Sequence, residues 1–214
     1  MKRPMMWMVA WLVGAGAAWG ATTEGKTGLL PLGSPMPQFS LPDVVSGNTV
    51  SSQSLQGHAA VLVAFMCRHC PYAQHVKAAL AQVARDYAGK DVAVTAISAN
   101  DPNAYALDAP DSLKELAAEA GFTFPLLFDE SQETAKAFTA VTTPDMFIFD
   151  RHGALAYRGQ FDDSRPKSGT DATGADVRQA LDALLSGAPA PAKQQPAFGC
   201  GITWKPGHAP AYAR

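Results

Sequence analysis

The cysteine pair Cys67 and Cys70 constrains this chain more than any other feature. It directly follows residues 59–66, a short continuous apolar run rich in Val and Ala, which predicts a strand buried on both faces. Pro71 comes next and opens a stretch with the three- and four-residue apolar spacing of a helix. The order strand, C-x-x-C, proline, helix places both sulfurs on one turn, close enough to form a disulfide.

This placement predicts redox chemistry. A thiol that faces the free N–H groups at a helix start is stabilised as the thiolate, which is the form that attacks a disulfide. We therefore predict that Cys67 is the nucleophile and that Cys70 resolves the mixed disulfide. Arg68 and His69 lie between the two cysteines, and we expect both to lower the pKa of Cys67 and to make the disulfide a stronger oxidant.

Two other interpretations of the pair remain open from these residues: a structural disulfide, and part of a metal site. A zinc site needs four ligands, usually from a second C-x-x-C or a close histidine pair. Here only Cys200 and scattered histidines remain. The alternative of another class is thus a metal-binding or copper-delivery module that uses Cys67, Cys70 and a histidine. For the redox function no cofactor is expected, because thiols carry the electrons.

The rest of the chain alternates strands and helices. Strands are predicted at 92–98, 124–128, 146–149 and 155–157, and helices at 111–121, at 131–138 and around Val177, Leu181 and Leu184. Ser112 and Glu115 have the spacing of a capping box. The sequence therefore predicts an α/β protein whose central mixed sheet is flanked by helices on both faces, with an N-terminal hairpin around residues 46–48 and a C-terminal tail.

The N-terminus has the pattern of a secretory signal peptide. Lys2 and Arg3 precede the uncharged apolar residues 5–18, and Gly20 offers a small residue at a cleavage site. The stretch is short for a membrane span, which needs about 20 apolar residues, although an uncleaved anchor is the alternative. We expect a periplasmic or secreted protein with this organisation: signal peptide 1–20, lead-in 21–35, domain 36–187 and a proline-rich tail 188–214.

The amino-acid composition and net charge of the chain limit the kinds of molecule that it can be expected to bind. The 214 residues are 47% hydrophobic and 17% charged, with a net charge of −2. This balance excludes a disordered chain and lacks the cationic surplus of a nucleic-acid-binding protein. The expected partners are a protein dithiol or disulfide or a small thiol, with peroxide as a further substrate, and contact with a membrane only through export or an uncleaved anchor.

Four motifs resemble those of a known family: FMCRHCPYA at 65–73, FPLL at 124–127, TPDMF at 143–147 and GCGITWK at 199–205. From about residue 36 to the C-terminus the chain resembles thioredoxin-fold redoxins, and more narrowly the peroxiredoxin-like branch of the alkyl hydroperoxide reductase/thiol-specific antioxidant superfamily. The resemblance implies a thioredoxin-like fold. It also implies that the Thr143-Pro144 bond is cis and lies beside the cysteine pair, where the backbone of Thr143 presents a partner strand.

The chain departs from the family at two places. Ala60 and Ala64 stand where a peroxiredoxin has the proline and threonine that precede its peroxidatic cysteine, and Thr142 stands where relatives often have a cysteine. The function favoured is an exported thiol-disulfide oxidoreductase, with a peroxiredoxin-like thiol peroxidase (an antioxidant) as the alternative.

The third cysteine, Cys200, lies between Gly199 and Gly201, which allow close approach of the backbone to another surface. Two interpretations stay open. Cys200 is either a free cysteine packed in an anchored tail, or a second resolving thiol within reach of Cys67.

Overall fold

The computed structural model describes Met1 and residues 28–213. The predicted signal peptide therefore lies outside the described residues except for Met1, and so does the first part of the lead-in. None of the described helices is long and apolar enough to cross a membrane.

The described chain contains a central sheet, two short two-stranded antiparallel sheets and four α-helices. In chain order these elements are β1 (Ser40–Pro42), β2 (Thr49–Ser51), β3 (Ala60–Phe65), α1 (Pro71–Tyr87), β4 (Val92–Ser98), α2 (Pro110–Ala120), β5 (Leu126–Phe128), α3 (Glu133–Phe138), β6 (Thr142–Thr143), β7 (Asp145–Asp150), β8 (Leu155–Gly159), α4 (Ala175–Leu185) and β9 (Cys200–Gly201).

The central sheet is mixed and has the strand order β5-β4-β3-β7-β8. Strands β3, β4 and β5 are parallel to one another, whereas β7 is antiparallel to both β3 and β8. Every residue of β3 is buried, as its unbroken apolar run predicts for a strand covered on both faces. The cysteine pair follows the carboxyl end of this central strand.

Helices cover both faces of the sheet. The first face packs against α1, α2 and α4 through Leu80, Leu116 and Leu181. The second face packs against α3 and the β1-β2 hairpin, where Phe138 contacts the rings of Phe65, Phe147, Phe149 and Phe39. The predicted class, a central mixed sheet between helices, is confirmed.

One local prediction is wrong. Helix α2 begins at Pro110 with Ala109 as its N-cap, and no side chain caps it. Ser112 and Glu115 do not form a capping box. Instead, the Ser112 hydroxyl and the Glu115 carboxylate both accept hydrogen bonds from the guanidinium of Arg68, at 2.9 and 2.6 Å. Proline at the first helical position already removes one of the N–H groups that a cap would serve.

Candidate active site

The two cysteines lie in the turn between β3 and α1, at the carboxyl end of the parallel strands, where ligand and catalytic sites of α/β sheets form. Cys67 and Cys70 are both 0% exposed. Cys70 occupies the N-cap position of α1, directly before Pro71. The start of the helix is therefore nearest to the second cysteine, not to the first as the sequence interpretation had it.

Thr143 contacts both sulfurs. It is buried and precedes Pro144, and the peptide bond between them is cis, as the family resemblance implied. The Thr143 hydroxyl lies 2.9 Å from the sulfur of Cys67, and the Cys70 thiol donates a hydrogen bond of 3.2 Å to the Thr143 carbonyl. One residue thus offers a donor to the first sulfur and an acceptor to the second.

The surroundings shift the pKa values of the two thiols in opposite directions. The hydrogen bond with Cys70, burial and the carboxylate of Asp108 raise the pKa of Cys67, against the opposing effect of the Thr143 hydroxyl. The hydrogen bond with Cys67 and then the thiol of Cys200 lower the pKa of Cys70 to about 4, although burial opposes the shift. The sulfur of Cys70 makes no regular capping hydrogen bond, but the N–H of Ala73 also favours its thiolate.

One contact favours the reverse placement of that proton. A thiol at 3.2 Å from the Thr143 carbonyl donates to it, whereas a thiolate there would be repelled. When the proton is on Cys70, the Thr143 hydroxyl can donate to a Cys67 thiolate. The two contacts of Thr143 therefore favour the form in which the proton is on Cys70 and the negative charge is on Cys67.

His69 is held by a buried carboxylate. Its Nδ1 lies 2.5 Å from Oδ2 of Asp108, and its ring stacks on Tyr105 with centroids 3.9 Å apart. Asp108 is 0% exposed and also accepts from the backbone N–H groups of Arg68 and His69 and from the amide of Asn100. The ring of His69 is thus fixed beside the first cysteine.

Arg68 does not act on the cysteines. Its guanidinium contacts Glu115 and Glu119, each at 2.6 Å, and the Ser112 carbonyl at 2.7 Å, all on helix α2. The prediction that Arg68 lowers the pKa of Cys67 is wrong, because two carboxylates neutralise the guanidinium on the far helix. What Arg68 contributes is the attachment of the cysteine loop to α2.

Asp108, Asn100 and Tyr105 belong to the site and were not predicted. They lie on the connection that follows β4. The sequence did contain a signal for these residues. Loops that follow neighbouring parallel strands meet at one edge of the sheet. This loop begins with the polar pair Asn100 and Asp101 directly after an apolar run, so its polar side chains could have been expected near the cysteines.

The structure also tests the metal alternative. Cys67, His69 and Asp108 place one ligand atom each within 4.8 Å of one another, and Cys70 is not part of this group. The two oxygens of Asp108, however, already accept four N–H hydrogen bonds, which fills the lone-pair positions of a carboxylate. Among the described residues this set therefore fits a hydrogen-bonded histidine–carboxylate pair better than a metal site.

The C-terminal tail reaches the site as a strand. Strand β9 pairs antiparallel with β6, so that Cys200 lies directly opposite Thr143. Cys200 is half-buried and packs against the apolar cluster that contains both site cysteines. Burial and the sulfur of Cys70 raise the pKa of Cys200 to about 12. The third thiol therefore neighbours Cys70, whereas one of the two interpretations of the sequence placed it within reach of Cys67.

The tail is held on both sides of Cys200. Before it, the ring of Phe198 packs edge-on against Tyr72, with centroids 5.3 Å apart. After it, Ile202 is buried and donates its N–H to the Val141 carbonyl at 3.1 Å. The next N–H, of Thr203, donates to the side chain of Asn100 at 2.8 Å, which connects the tail to the polar network around Asp108 by way of one amide.

Comparison with known proteins agrees with this architecture. Residues 32–158, more than half of the chain, match the AhpC/TSA family. The chain belongs to the AhpC/TSA family. The prediction of the redoxin superfamily is thereby confirmed. Among curated proteins, none matches this AhpC/TSA chain.

Solved structures similar to this AhpC/TSA protein include two of clearly related sequence. An uncharacterized conserved protein from Geobacillus kaustophilus is 48% identical, with 82% of this chain and 93% of that chain covered and a TM-score of 0.80. A hypothetical protein from Sinorhizobium meliloti is 42% identical, with 84% and 98% covered and a TM-score of 0.81. A putative thiol:disulfide interchange protein DsbE from Chlorobium tepidum is 21% identical, covers 73% and 99%, and has a TM-score of 0.60, which shows the shared fold.

Proposed function

We propose that this AhpC/TSA protein is an exported thiol-disulfide oxidoreductase in which Cys67 and Cys70 alternate between dithiol and disulfide. The observation that carries the proposal is the contact of Thr143 with both sulfurs, its hydroxyl 2.9 Å from Cys67 and its carbonyl 3.2 Å from Cys70. A structural disulfide would need neither a donor beside one sulfur nor a proton acceptor beside the other.

The chemistry follows from the position of the proton. With the proton on Cys70, the Cys67 thiolate attacks one sulfur of a partner disulfide, a bond forms between Cys67 and that sulfur, and the other partner sulfur leaves as a thiolate and takes up a proton. Cys70 then gives up its proton and attacks Cys67. The partner's second thiol leaves, and the Cys67–Cys70 disulfide remains. The reverse sequence oxidises a partner dithiol.

His69 and Asp108 support this exchange as positioning residues. The buried carboxylate fixes the imidazole on one side, and the ring of Tyr105 fixes it on the other. The negative charge of Asp108 on its own disfavours a thiolate on Cys67. We propose that the hydrogen bond with His69 fixes the position of that carboxylate relative to the first sulfur.

Export is the second part of the proposal. It rests on Lys2 and Arg3, on the apolar residues 5–18 and on Gly20 at the expected cleavage position. An oxidising compartment would allow the pair to be found as a disulfide. Expression in a Gram-negative host followed by fractionation and N-terminal sequencing tests this part: a periplasmic protein that begins at Ala21 supports it, and a cytoplasmic protein that retains residues 1–20 contradicts it.

The redox part is tested by equilibrating the protein with glutathione buffers of known potential and counting disulfides by mass spectrometry. A Cys67–Cys70 bond that forms and breaks within the range of the buffers, together with reduction of insulin disulfides that is lost in Cys67→Ser, supports the proposal. A pair that stays oxidised in every buffer indicates a structural disulfide. Consumption of hydrogen peroxide without insulin reduction indicates a peroxidase and overturns the proposal.

A further inference from the structure

We infer that Cys200 is a third redox thiol, which takes over the disulfide from the buried pair by attacking Cys70. This inference rests on the proposed function of Cys67 and Cys70 and extends it. The disulfide would alternate between two bonds, Cys67–Cys70 and Cys70–Cys200. Cys70 is common to both.

The geometry of the tail carries the inference. Cys200 lies opposite Thr143 in a two-residue antiparallel pair, and the Cys70 thiol donates to the carbonyl of that same Thr143. Residues directly opposite each other in such a pair have Cα atoms about 4.5–5.5 Å apart, so Cys200 lies against the residue that Cys70 contacts. The Cys70 and Cys200 side chains are themselves close enough to form a hydrogen bond. Both Cys200 and Cys70 therefore approach Thr143, the third sulfur from the tail and the second from the helix.

The close approach of the tail depends on Gly199. A Cβ atom at Gly199 would lie 2.1 Å from the Thr143 carbonyl oxygen and 3.1 Å from Cδ of Pro144, and no real Cβ atom is found so close to an oxygen. Only glycine lets the backbone lie against this loop. Gly201, two residues further along the same strand, has its nearest such contact at 3.9 Å. The close contact is thus confined to the residue before Cys200.

Strand β9 pairs with the backbone of the residue that precedes Pro144. Contacts on both sides of Cys200 hold this strand, through the ring of Phe198 on one side and the N–H of Ile202 on the other. The third thiol is therefore held at the site by the fold.

The step is an internal exchange that needs no external oxidant. The Cys200 thiolate attacks the sulfur of Cys70 in the Cys67–Cys70 disulfide, a Cys70–Cys200 bond forms, and the Cys67–Cys70 bond breaks. Cys67 leaves with the electron pair and takes up the proton that Cys200 has lost. The numbers of disulfides and of protons are unchanged.

One feature favours this direction of attack. The hydroxyl of Thr143 stands 2.9 Å from Cys67 and can donate to it as it leaves. The result is that the disulfide moves from two fully buried sulfurs to a half-buried one, where a partner can reach it.

Peptide mapping of the oxidised protein tests the inference. The full chain is oxidised with one equivalent of diamide, quenched in acid, alkylated and digested with trypsin, which cleaves after Arg68 and so separates the three cysteines onto different peptides. We expect both Cys67–Cys70 and Cys70–Cys200 bonds. In Cys67→Ser the Cys70–Cys200 bond should be the only disulfide, whereas Cys70→Ser should form no intramolecular disulfide.

Two variants of the tail test whether the Cys70–Cys200 bond forms because strand β9 holds the two sulfurs close together or through non-specific oxidation. Gly199→Ala pushes the strand away from Thr143, whereas Gly201→Ala leaves it in place. In the Cys67→Ser background, we expect Gly199→Ala to slow formation of Cys70–Cys200 by roughly tenfold or more, since misplacing reacting atoms by about 1 Å costs on the order of 100-fold. Gly201→Ala should form the bond at the rate of its parent.

The outcomes distinguish failure of the Cys200 relay from failure of the proposed oxidoreductase function. If Cys67–Cys70 forms and Cys200 remains fully alkylated in the wild type and in Cys67→Ser, the relay is overturned and the oxidoreductase function stands. If neither bond responds to diamide, the oxidoreductase function itself fails. A Cys67–Cys200 bond in Cys70→Ser as abundant as the Cys70–Cys200 bond in Cys67→Ser would also overturn the inference, because it would show that Cys200 does not select Cys70.

Discussion

The hydroxyl oxygen of Thr143 lies 2.9 Å from the sulfur of Cys67. This contact joins strand β6 to the turn after β3, and the hydroxyl can donate a hydrogen bond to the first sulfur inside a fully buried site. A donor in such a place stabilises a thiolate by more than it would in water, because hydrogen bonds to charged groups contribute about 1.5–3 kcal/mol.

Removing that hydroxyl should slow thiol exchange. We expect Thr143→Val to react with a small aromatic disulfide at least about tenfold more slowly than the wild type, since the loss of roughly 1.5 kcal/mol corresponds to a factor of ten. Thr143→Ser keeps the hydroxyl and serves as the matched control. Stopped-flow measurement of thiol release gives the rates. Equal rates for the Val and Ser variants would show that the contact does not assist attack.

Replacing the buried carboxylate should change both stability and thiol ionisation. Asp108→Asn keeps the shape but places an amide group against N–H donors, and each unsatisfied buried donor costs about 1–3 kcal/mol. The same change removes a charge that raises the pKa of Cys67, so the thiolate absorbance near 240 nm should persist to lower pH. Asp111→Asn, an exposed carboxylate at the start of α2, is the control and should leave both measurements unchanged. An unchanged thiolate titration in Asp108→Asn would contradict the assignment.

Loss of the guanidinium at position 68 should affect stability and not the thiols. Arg68→Met should lower the free energy of unfolding by about 1 kcal/mol, because its two glutamate partners are largely exposed and such pairs are screened by solvent. The loss should shrink in high salt. Its thiolate titration should match that of the wild type. A rise in the pH at which the thiolate forms would instead restore the prediction that Arg68 acts on Cys67.

A buried carboxyl should make stability depend on pH. Burial, only partly offset by Arg158, raises the pKa of Asp145 to about 6, and one of its oxygens has no hydrogen-bond partner. Between the unfolded value near 3.8 and this folded value, the folded protein binds more protons than the unfolded chain, so stability is greatest at low pH and falls as pH rises. Two pKa units correspond to about 3 kcal/mol.

Asp145→Asn isolates that contribution, because every other titrating group is retained. Between pH 4 and pH 7 the wild type should lose about 2 kcal/mol of unfolding free energy relative to the variant, measured by urea denaturation at each pH. A constant difference across that range would show that Asp145 is already ionised at pH 4 in the folded state.

The fold could be predicted from the sequence because its signals are local. The apolar run of β3, Pro71 at the helix start and the helical spacing that follows each specify their own element. Their order then leaves few arrangements for a mixed sheet covered on both faces. Cys67 and Cys70 are found by the same reasoning, since their spacing alone brings the sulfurs together.

The rest of the site depends on contacts between distant residues. Asp108 binds the backbone of Arg68 across 40 positions, and nothing in its own neighbourhood predicts a buried carboxylate. Arg68 is adjacent to Cys67 in sequence, but its long side chain extends to helix α2. Because the two residues are adjacent in sequence, we predicted that the charge of Arg68 would lower the pKa of Cys67. The direction of the Arg68 side chain takes that charge away from the sulfur.

The tail gives the same lesson in another form. The sequence around Cys200 predicts a tail because it is rich in proline and has no helical period, and its apolar residues Phe198, Ile202 and Trp204 predict that this tail packs onto the domain. Its short strand exists only because Thr142 and Thr143 offer a free edge to pair with. When a segment becomes a strand only by pairing with another part of the chain, its own residues do not predict that strand.

Because the two sulfurs are completely buried, the rate at which they are labelled depends on how often the structure around them opens. With Cys67 and Cys70 at 0% exposure, an alkylating reagent reaches them only when the structure around them opens. Labelling whose rate saturates with reagent concentration would report the rate of that opening, and labelling whose rate stays proportional to reagent concentration would report the equilibrium constant of opening, as in amide hydrogen exchange. A thiol reagent would thus measure how fast and how often the buried pair becomes accessible.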